Sequence, residues 1–424
     1  MRLPLTLLGL LAMLSPAPAI DPATLTPDKL PAHAAMPDLL TTFDGTKVTT
    51  KAEWEAKRKP ELKELFQAVM YGKYPAVKPD VHGTVLYEDK AAFGGKGTLR
   101  EVAVKVTPDA PPVHLLVVTP NGAKGKVPAF LGLMFGGNHH VTDDPKVRVT
   151  DAWMYPSQPG TVQDKANPAG RGKSKGTWPI EEILAKGYAV AVFYSGEVIP
   201  DNPKIRSGLA WAIAPPVPEG VADPAATGTV MAWAWGTHRM IDYLVTLPEI
   251  DAKKVAVVGH SRLGKATMVA AAFDDRVALA IPHQAGCGGT APDRRTNPKS
   301  EPLARINAAF PHWFSGNFKA FSEAAEKLPF DQHALVALCA PRPVLFSNAT
   351  DDQWADPAGQ FEVLRAANPA YALYGEVGID ATAYPAENTP VGQRLGYWVR
   401  PGKHDMNRAD WKAFLAFADK QFGR

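Results

Sequence analysis

The sequence predicts a three-layer α/β sandwich with a mostly parallel central sheet, and three observations lead there. The first is a set of nearly unbroken apolar runs: VPAFLGLMF (127–135), YAVAVFY (188–194), VAVVGH (255–260), LAIPHQ (279–284) and PVLFSN (343–348). Such runs suit strands covered on both faces, as in parallel sheets. The second is the helical spacing between them, in WPIEEILAKG (178–187), GTVMAWAWGTHRMIDYLVT (228–246) and the stretch after Ser261. The third is a leading pair, LREVAVKV (99–106) and VHLLVVTP (113–120), whose period-2 alternation predicts an antiparallel hairpin. Strand and helix in alternation then imply right-handed crossovers onto one sheet.

The elements before the hairpin are simpler. Met1–Arg2 and the apolar run LPLTLLGLLAML, too short to span a bilayer, precede SPAPA with small residues at Ala17 and Ala19. This is the pattern of a secretory leader over residues 1–19, so a secreted or periplasmic protein is expected. Residues 20–98 form an N-terminal extension: a proline- and threonine-rich lead-in to about residue 50, then a helix over 51–71. That helix places Trp54, Leu62, Leu65, Phe66 and Val69 on one face and is broken at Pro60. Residues 99–424 read as one α/β domain, with no internal repeat and no linker to divide it.

Composition narrows the function. With 46 Lys and Arg against 43 Asp and Glu, the net charge of +3 and the lack of a basic run exclude a nucleic-acid partner. Beyond the leader no stretch is apolar for long enough to cross a membrane. Ten tryptophans and forty prolines suit an irregular surface that grips a sugar or an aromatic group, although buried tryptophan is the commoner use. Two cysteines, Cys287 and Cys339, leave one disulfide open.

The chemistry centres on VAVVGHSRLGKATM (255–268), where a β-branched run stops at Ser261 and a small-residue helix begins. A serine at that turn is lifted clear of the sheet, with a helix N-terminus aimed at it. Gly259 and Gly264 supply the small positions of a tight elbow in the pattern G-x-S-x-x-G, with Leu263 where a second glycine is commoner. The plainer alternative is a serine N-cap. A hydroxyl nucleophile needs a base, and the base an orienting carboxylate. Both follow in the order serine, acid, histidine: ATDDQWADP offers Asp351 and Asp352 after a strand, and PGKHDMN offers His404 before a final helix from Asp410.

GHSRLGK, with arginine directly after the serine and lysine four after it, resembles the elbow of the glucuronoyl esterases, carbohydrate esterase family fifteen, of the α/β-hydrolase superfamily. FGGNHH (135–140), WPIEEILAKGYAVAVFY (178–194), ARINAAFPHWFSGNF (304–318), APRPVLFSNATDDQWADP (340–357) and GKHDM (402–406) are similar to the bacterial members. The resemblance implies a serine esterase that cleaves the ester between (4-O-methyl-)glucuronic acid of glucuronoxylan and a lignin-type alcohol. It implies Ser261 as nucleophile, His404 as proton shuttle and Arg262 as oxyanion donor, with Lys265, Trp354, Glu301 and Asn307 around the sugar. Many members carry the triad glutamate where this sequence has Gln284, which cannot balance an imidazolium charge. The acid is therefore expected at Asp352, with Asp351 its rival. No cofactor or metal is expected: the adjacent His139 and His140 diverge as neighbouring side chains do, no carboxylate-histidine spacing nearby makes a metal site, and the pair is placed at the cleft rim. A monomer is expected. Two other readings remain: an acetyl ester hydrolase or peptidase of the same fold, and a non-catalytic carbohydrate-binding relative.

Overall fold

The computed structural model describes residues 20–213, 223 and 225–424, so the expected leader lies outside the described residues. Ten strands form the main sheet: β1 (His82–Ala91), β2 (Gly97–Lys105), β3 (Val113–Pro120), β4 (Val127–Met134), β5 (Ala189–Tyr194), β6 (Ile250–His260), β7 (Leu279–His283), β8 (Val344–Ala349), β9 (Val391–Gly392) and β10 (Leu395–Arg400). Their spatial order is β1-β2-β3-β5-β4-β6-β7-β8-β10-β9. The block from β5 through β10 is parallel, while β1, β2 and β3 join its edge antiparallel and β9 closes the other edge.

The apolar runs divide their side chains between two cores, as the period-2 geometry of a strand requires. Ala129, Leu131 and Leu133 of β4, with Val255 and Val257 of β6, join one core; Phe130, Met134, Ala256 and Val258 join the other. The first core is roofed by α2 (Thr229–Leu244), α3 (Arg262–Phe273), α5 (Gln332–Ala337) and α6 (Pro357–Ala372), and the second by α1 (Ile180–Ala185) and α7 (Arg408–Phe422). α4 (Leu303–Ala309) lies on the side of the first core, through Leu303 and Ile306.

The extension is part of this packing. Leu25, Leu30, Leu39 and Val48 of the lead-in are buried in the first core, as are Trp54, Leu62, Leu65, Phe66 and Val69 of the helical stretch 51–71. Pro60 does not break that stretch: the turn over Trp54–Arg58 widens, with Lys59 N donating to the Trp54 carbonyl, and the helix runs on through Lys59–Leu65. The boundary expected at residue 99 falls inside the β1–β2 hairpin, so the extension contributes the edge strand of the sheet. Cys287 and Cys339 are buried free thiols. No described helix is long and apolar enough to cross a membrane.

Trp411 anchors the second core. It is fully buried, with ring centres 5.3 Å from Phe130, 5.2 Å from Trp178 and 5.4 Å from Phe414, and its Nε1 donates to the Thr177 carbonyl at 2.6 Å. Trp411→Ala should cost about 3–5 kcal/mol in denaturant unfolding, and Trp411→Phe, which keeps a ring in place, clearly less. Equal stability of the Ala variant and the parent would refute this role.

Candidate active site

Ser261 stands between the end of β6 and the start of α3 with φ 58° and ψ −126°. An L-residue adopts that conformation only where its surroundings impose it. Here they do. Ser261 N donates to the His283 carbonyl of β7 at 2.9 Å, tying the turn to the neighbouring strand. A Cβ at Gly259 would lie 2.3 Å from the Leu263 carbonyl oxygen and 2.5 Å from Thr267 Oγ1, so helix and strand approach as closely as backbone allows. Gly264 faces β7 in the same way, with Ala285 Cβ and the His283 carbonyl 3.0 Å from where its Cβ would be, while Leu263 is buried in the core. The glycine one residue later than usual thus serves the crossing of helix and sheet. The Ser261 hydroxyl makes no capping bond to the helix, unlike an ordinary serine N-cap.

That hydroxyl instead meets His404. His404 Nε2 lies 2.8 Å from Ser261 Oγ, and His404 Nδ1 lies 2.7 Å from Asp352 Oδ2. With the carboxylate as acceptor, Nδ1 carries the proton and Nε2 is left to accept from the serine. Asp352 is buried at the first turn beyond β8, whereas Asp351 is exposed. The backbone of Asp351 still contributes, since its N–H donates to the Gly402 carbonyl at 3.0 Å, beside a Thr350 N to Arg400 O bond of 2.9 Å. These two bonds fasten the acid loop to the histidine loop. Gln284 Nε2 donates to the Lys403 carbonyl at 3.2 Å, so the glutamine steadies the histidine loop.

Beneath His404 lie two imidazoles whose part the sequence reading did not foresee. The His260 ring is centred 4.6 Å from that of His404 and 5.1 Å from that of His283. Desolvation pushes the partly buried His260 ring and the fully buried His283 ring towards the neutral form, and for His260 the neighbouring His283 and His404 add to it. His283 Nε2 lies 2.8 Å from the Asp405 carbonyl, which also accepts from Arg400 Nη2 at 2.8 Å, and Arg400 Nε donates to Asp410 at 2.9 Å. The histidine loop is therefore held from below by neutral rings and one arginine. His260, next to the serine, was the visible signal.

Arg262 lines a cleft of about 240 Å³ together with Ser261, His404, Phe135, Tyr155 and Trp233. Its guanidinium carbon lies 4.8 Å from the Trp313 ring centre, 5.2 Å from Phe310, 5.5 Å from Tyr155 and 5.9 Å from Phe135, and Nη1 bonds to Asp201. Lys265 is buried, and Nζ donates to the Ala285 and Cys287 carbonyls, each at 2.5 Å. Burial pulls its pKa down, opposed chiefly by the Glu301 carboxylate. Glu301 N donates to the Trp354 carbonyl at 3.1 Å, which brings Lys265, Glu301 and the half-exposed Trp354 to one side of the elbow. Asn307 is not brought to the cleft: its Nδ2 is committed to the Phe318 carbonyl at 3.3 Å and Ser322 Oγ at 3.0 Å.

His139 and His140 are buried, not at the rim, and this corrects the expectation. The segment 170–174 folds over them, with Gly172 N and Ser174 N donating to their carbonyls, and Gly136 makes room for the His140 ring. Burial pushes both rings down to about 4, with the His140 ring adding to the effect at His139. Among the described residues no three His, Cys, Asp or Glu side chains gather so as to hold a metal ion.

The geometry can be set beside known proteins. Residues 221–375 match the family described as glucuronyl esterase, fungi. A carbohydrate esterase from an unknown prokaryotic organism is 42% identical over 390 residues, 91% of this chain and 89% of that protein. A solved structure described as a promiscuous esterase of carbohydrate esterase family 15, from a marine bacterial metagenome, is 41% identical with a TM-score of 0.85, covering 93% of this chain and 98% of that one. The glucuronoyl esterase from Solibacter usitatus is 37% identical with a TM-score of 0.85, over 93% of this chain and 100% of that one. The elbow, the fold and these likenesses over nearly the whole chain agree: the chain belongs to the glucuronoyl esterases, carbohydrate esterase family 15, of the α/β-hydrolase superfamily.

Proposed function

We propose that this chain hydrolyses the ester between the carboxyl of (4-O-methyl-)glucuronic acid on glucuronoxylan and a lignin-type alcohol, outside the cytoplasm after loss of residues 1–19. It is a carboxylic ester hydrolase, and the observation that carries the reading is the relay Asp352–His404–Ser261 beside a permanent cation, Arg262. Ser261 Oγ attacks the ester carbonyl as His404 Nε2 takes its proton. The Arg262 N–H, at the first turn of α3, and its guanidinium meet the charge that develops on the carbonyl oxygen. One strong donor of this kind is worth on the order of 3–4 kcal/mol at the transition state. The tetrahedral intermediate collapses, His404 returns the proton to the departing alkoxide, and the uronoyl group stays on Ser261. Water then attacks with His404 as base, the bond from the uronoyl carbon to Ser261 Oγ breaks as His404 gives that proton back to Oγ, and the uronic acid leaves and loses its carboxyl proton to solvent.

Asp352 keeps His404 in the tautomer that accepts from serine and offsets the imidazolium charge. The sugar is assigned to the side of Lys265, Glu301 and Trp354, with the exposed Trp354 ring as its apolar cover. Replacing Ser261 by Ala should lower kcat by about 10⁴-fold or more, and Asp352→Ala by about 10²–10⁴, with both variants folded as the parent. Asp351→Ala should stay within about twofold of the parent, because only its backbone is engaged. Comparable losses at Asp351 and Asp352 would reject the assignment of the acid.

A second reading, a broader ester hydrolase, is favoured by one observation: the 41% identical marine relative is described as promiscuous. Initial rates on benzyl glucuronate, benzyl galacturonate and an acetyl ester separate the two. Faster, Ser261-dependent cleavage of the glucuronate is expected; faster cleavage of the acetyl ester would leave the elbow standing and remove the uronate.

A further inference from the structure

We propose that Asp201 is a positioning residue of this reaction, whose carboxylate holds the Arg262 guanidinium at the oxyanion side of the cleft. Asp201 follows the short turn Ser195–Val198 at the end of β5, and no motif in the sequence distinguishes it. Its carboxylate is mostly buried and fully engaged. Oδ1 accepts from His312 Nε2 at 2.8 Å and from Trp313 Nε1 at 2.7 Å, and Oδ2 accepts from Arg262 Nη1. Burial alone would push the carboxyl up, but His312, Arg262 and Trp313 outweigh it and hold it below the ordinary carboxylate range. It is therefore an anion throughout the pH range in which an imidazole base works.

Arginine is a long side chain with many rotamers, and its charge acts on a developing oxyanion only if the group is already in place. Asp201 fixes one end. Phe135, Tyr155, Phe310 and Trp313 surround the guanidinium, and Trp313, stacked on Phe310 at 3.8 Å, is itself fixed by its bond to Asp201. The carboxylate thus sets both the cation and the wall it leans on. Among the described residues Arg262 has no other anionic partner, and its buried Nε has no partner at all. The guanidinium keeps unspent N–H groups in a cleft it shares with Ser261 and His404. Without Asp201, a cation among aromatic rings would lose its counter-charge and turn towards water.

The proposal rests on Arg262 as oxyanion donor, and a double-mutant cycle separates the two ideas. Kinetics on benzyl glucuronate would be measured for the parent, Asp201→Asn, Arg262→Ala and the pair, with thermal midpoints alongside. Asp201→Asn should lower kcat by about 10- to 100-fold with KM within about threefold. In the Arg262→Ala background the same change should alter kcat by less than about twofold, because the group it positions is gone. An undiminished loss in that background, or full activity of Asp201→Asn, would overturn the proposal. An active Arg262→Ala enzyme would overturn the oxyanion role itself. If Asp201→Asn does not fold, Trp313→Phe, which removes one donor to the carboxylate and keeps a ring, replaces it in the cycle: its loss should vanish in Arg262→Ala, and a loss that persists there would count against the proposal.

Discussion

The turn at Ser261 is the constraint on which the site depends. A serine with φ 58° is unfavourable on its own, and it persists because β6 and α3 meet at Gly259 with no room for a side chain. Parallel strands buried on both faces supply the rigidity that imposes it. The buried neighbours β4 and β7 fix β6 on either side, the His283 carbonyl takes the serine N–H, and the hydroxyl is left to project at the carboxyl end of the sheet. In open parallel sheets that edge is where ligands bind.

The other groups are brought to the serine by loops that leave the same edge. β8 and β10 are adjacent and parallel, so the acid and histidine loops emerge side by side and are joined by backbone bonds from Thr350 and Asp351. Charge is spaced with care around them. The imidazole beside Ser261, the proposed proton acceptor, has one carboxylate, Asp352, on its outer nitrogen and rings pushed towards the neutral form below. On the other side of the cleft the Arg262 cation, the proposed oxyanion donor, is bonded to Asp201, which follows a third strand end.

Much of this is legible in the sequence because parallel strands are apolar on both faces. The runs at 127–135, 188–194, 255–260, 279–284 and 343–348 correspond to β4, β5, β6, β7 and β8 within a residue or two, except that β6 starts earlier through the polar Asp251, Lys253 and Lys254. β1 is hidden because it is an exposed edge whose side chains need no apolar pattern. β10, LGYWVR, is wholly buried but reads poorly, since Gly396 and Arg400 interrupt its apolar character and Arg400 is satisfied by Asp410 and Asp405. Serine, acid and histidine show in the sequence through their order, yet neighbouring Asp351 and Asp352 differ only in the direction each side chain takes from the turn. Asp201 is illegible because its partners Arg262, His312 and Trp313 are brought to it by the fold. The buried pair His139 and His140 misleads for the same reason: what covers it comes from residues some thirty positions further on.

The most direct test of the relay is a fluorophosphonate probe read by mass spectrometry of the native chain. A single adduct on Ser261, formed rapidly in the parent and slowed by orders of magnitude in Asp352→Ala and His404→Ala, is the predicted result. Labelling that is absent, falls on another residue, or proceeds as fast without His404 would contradict an activated Ser261.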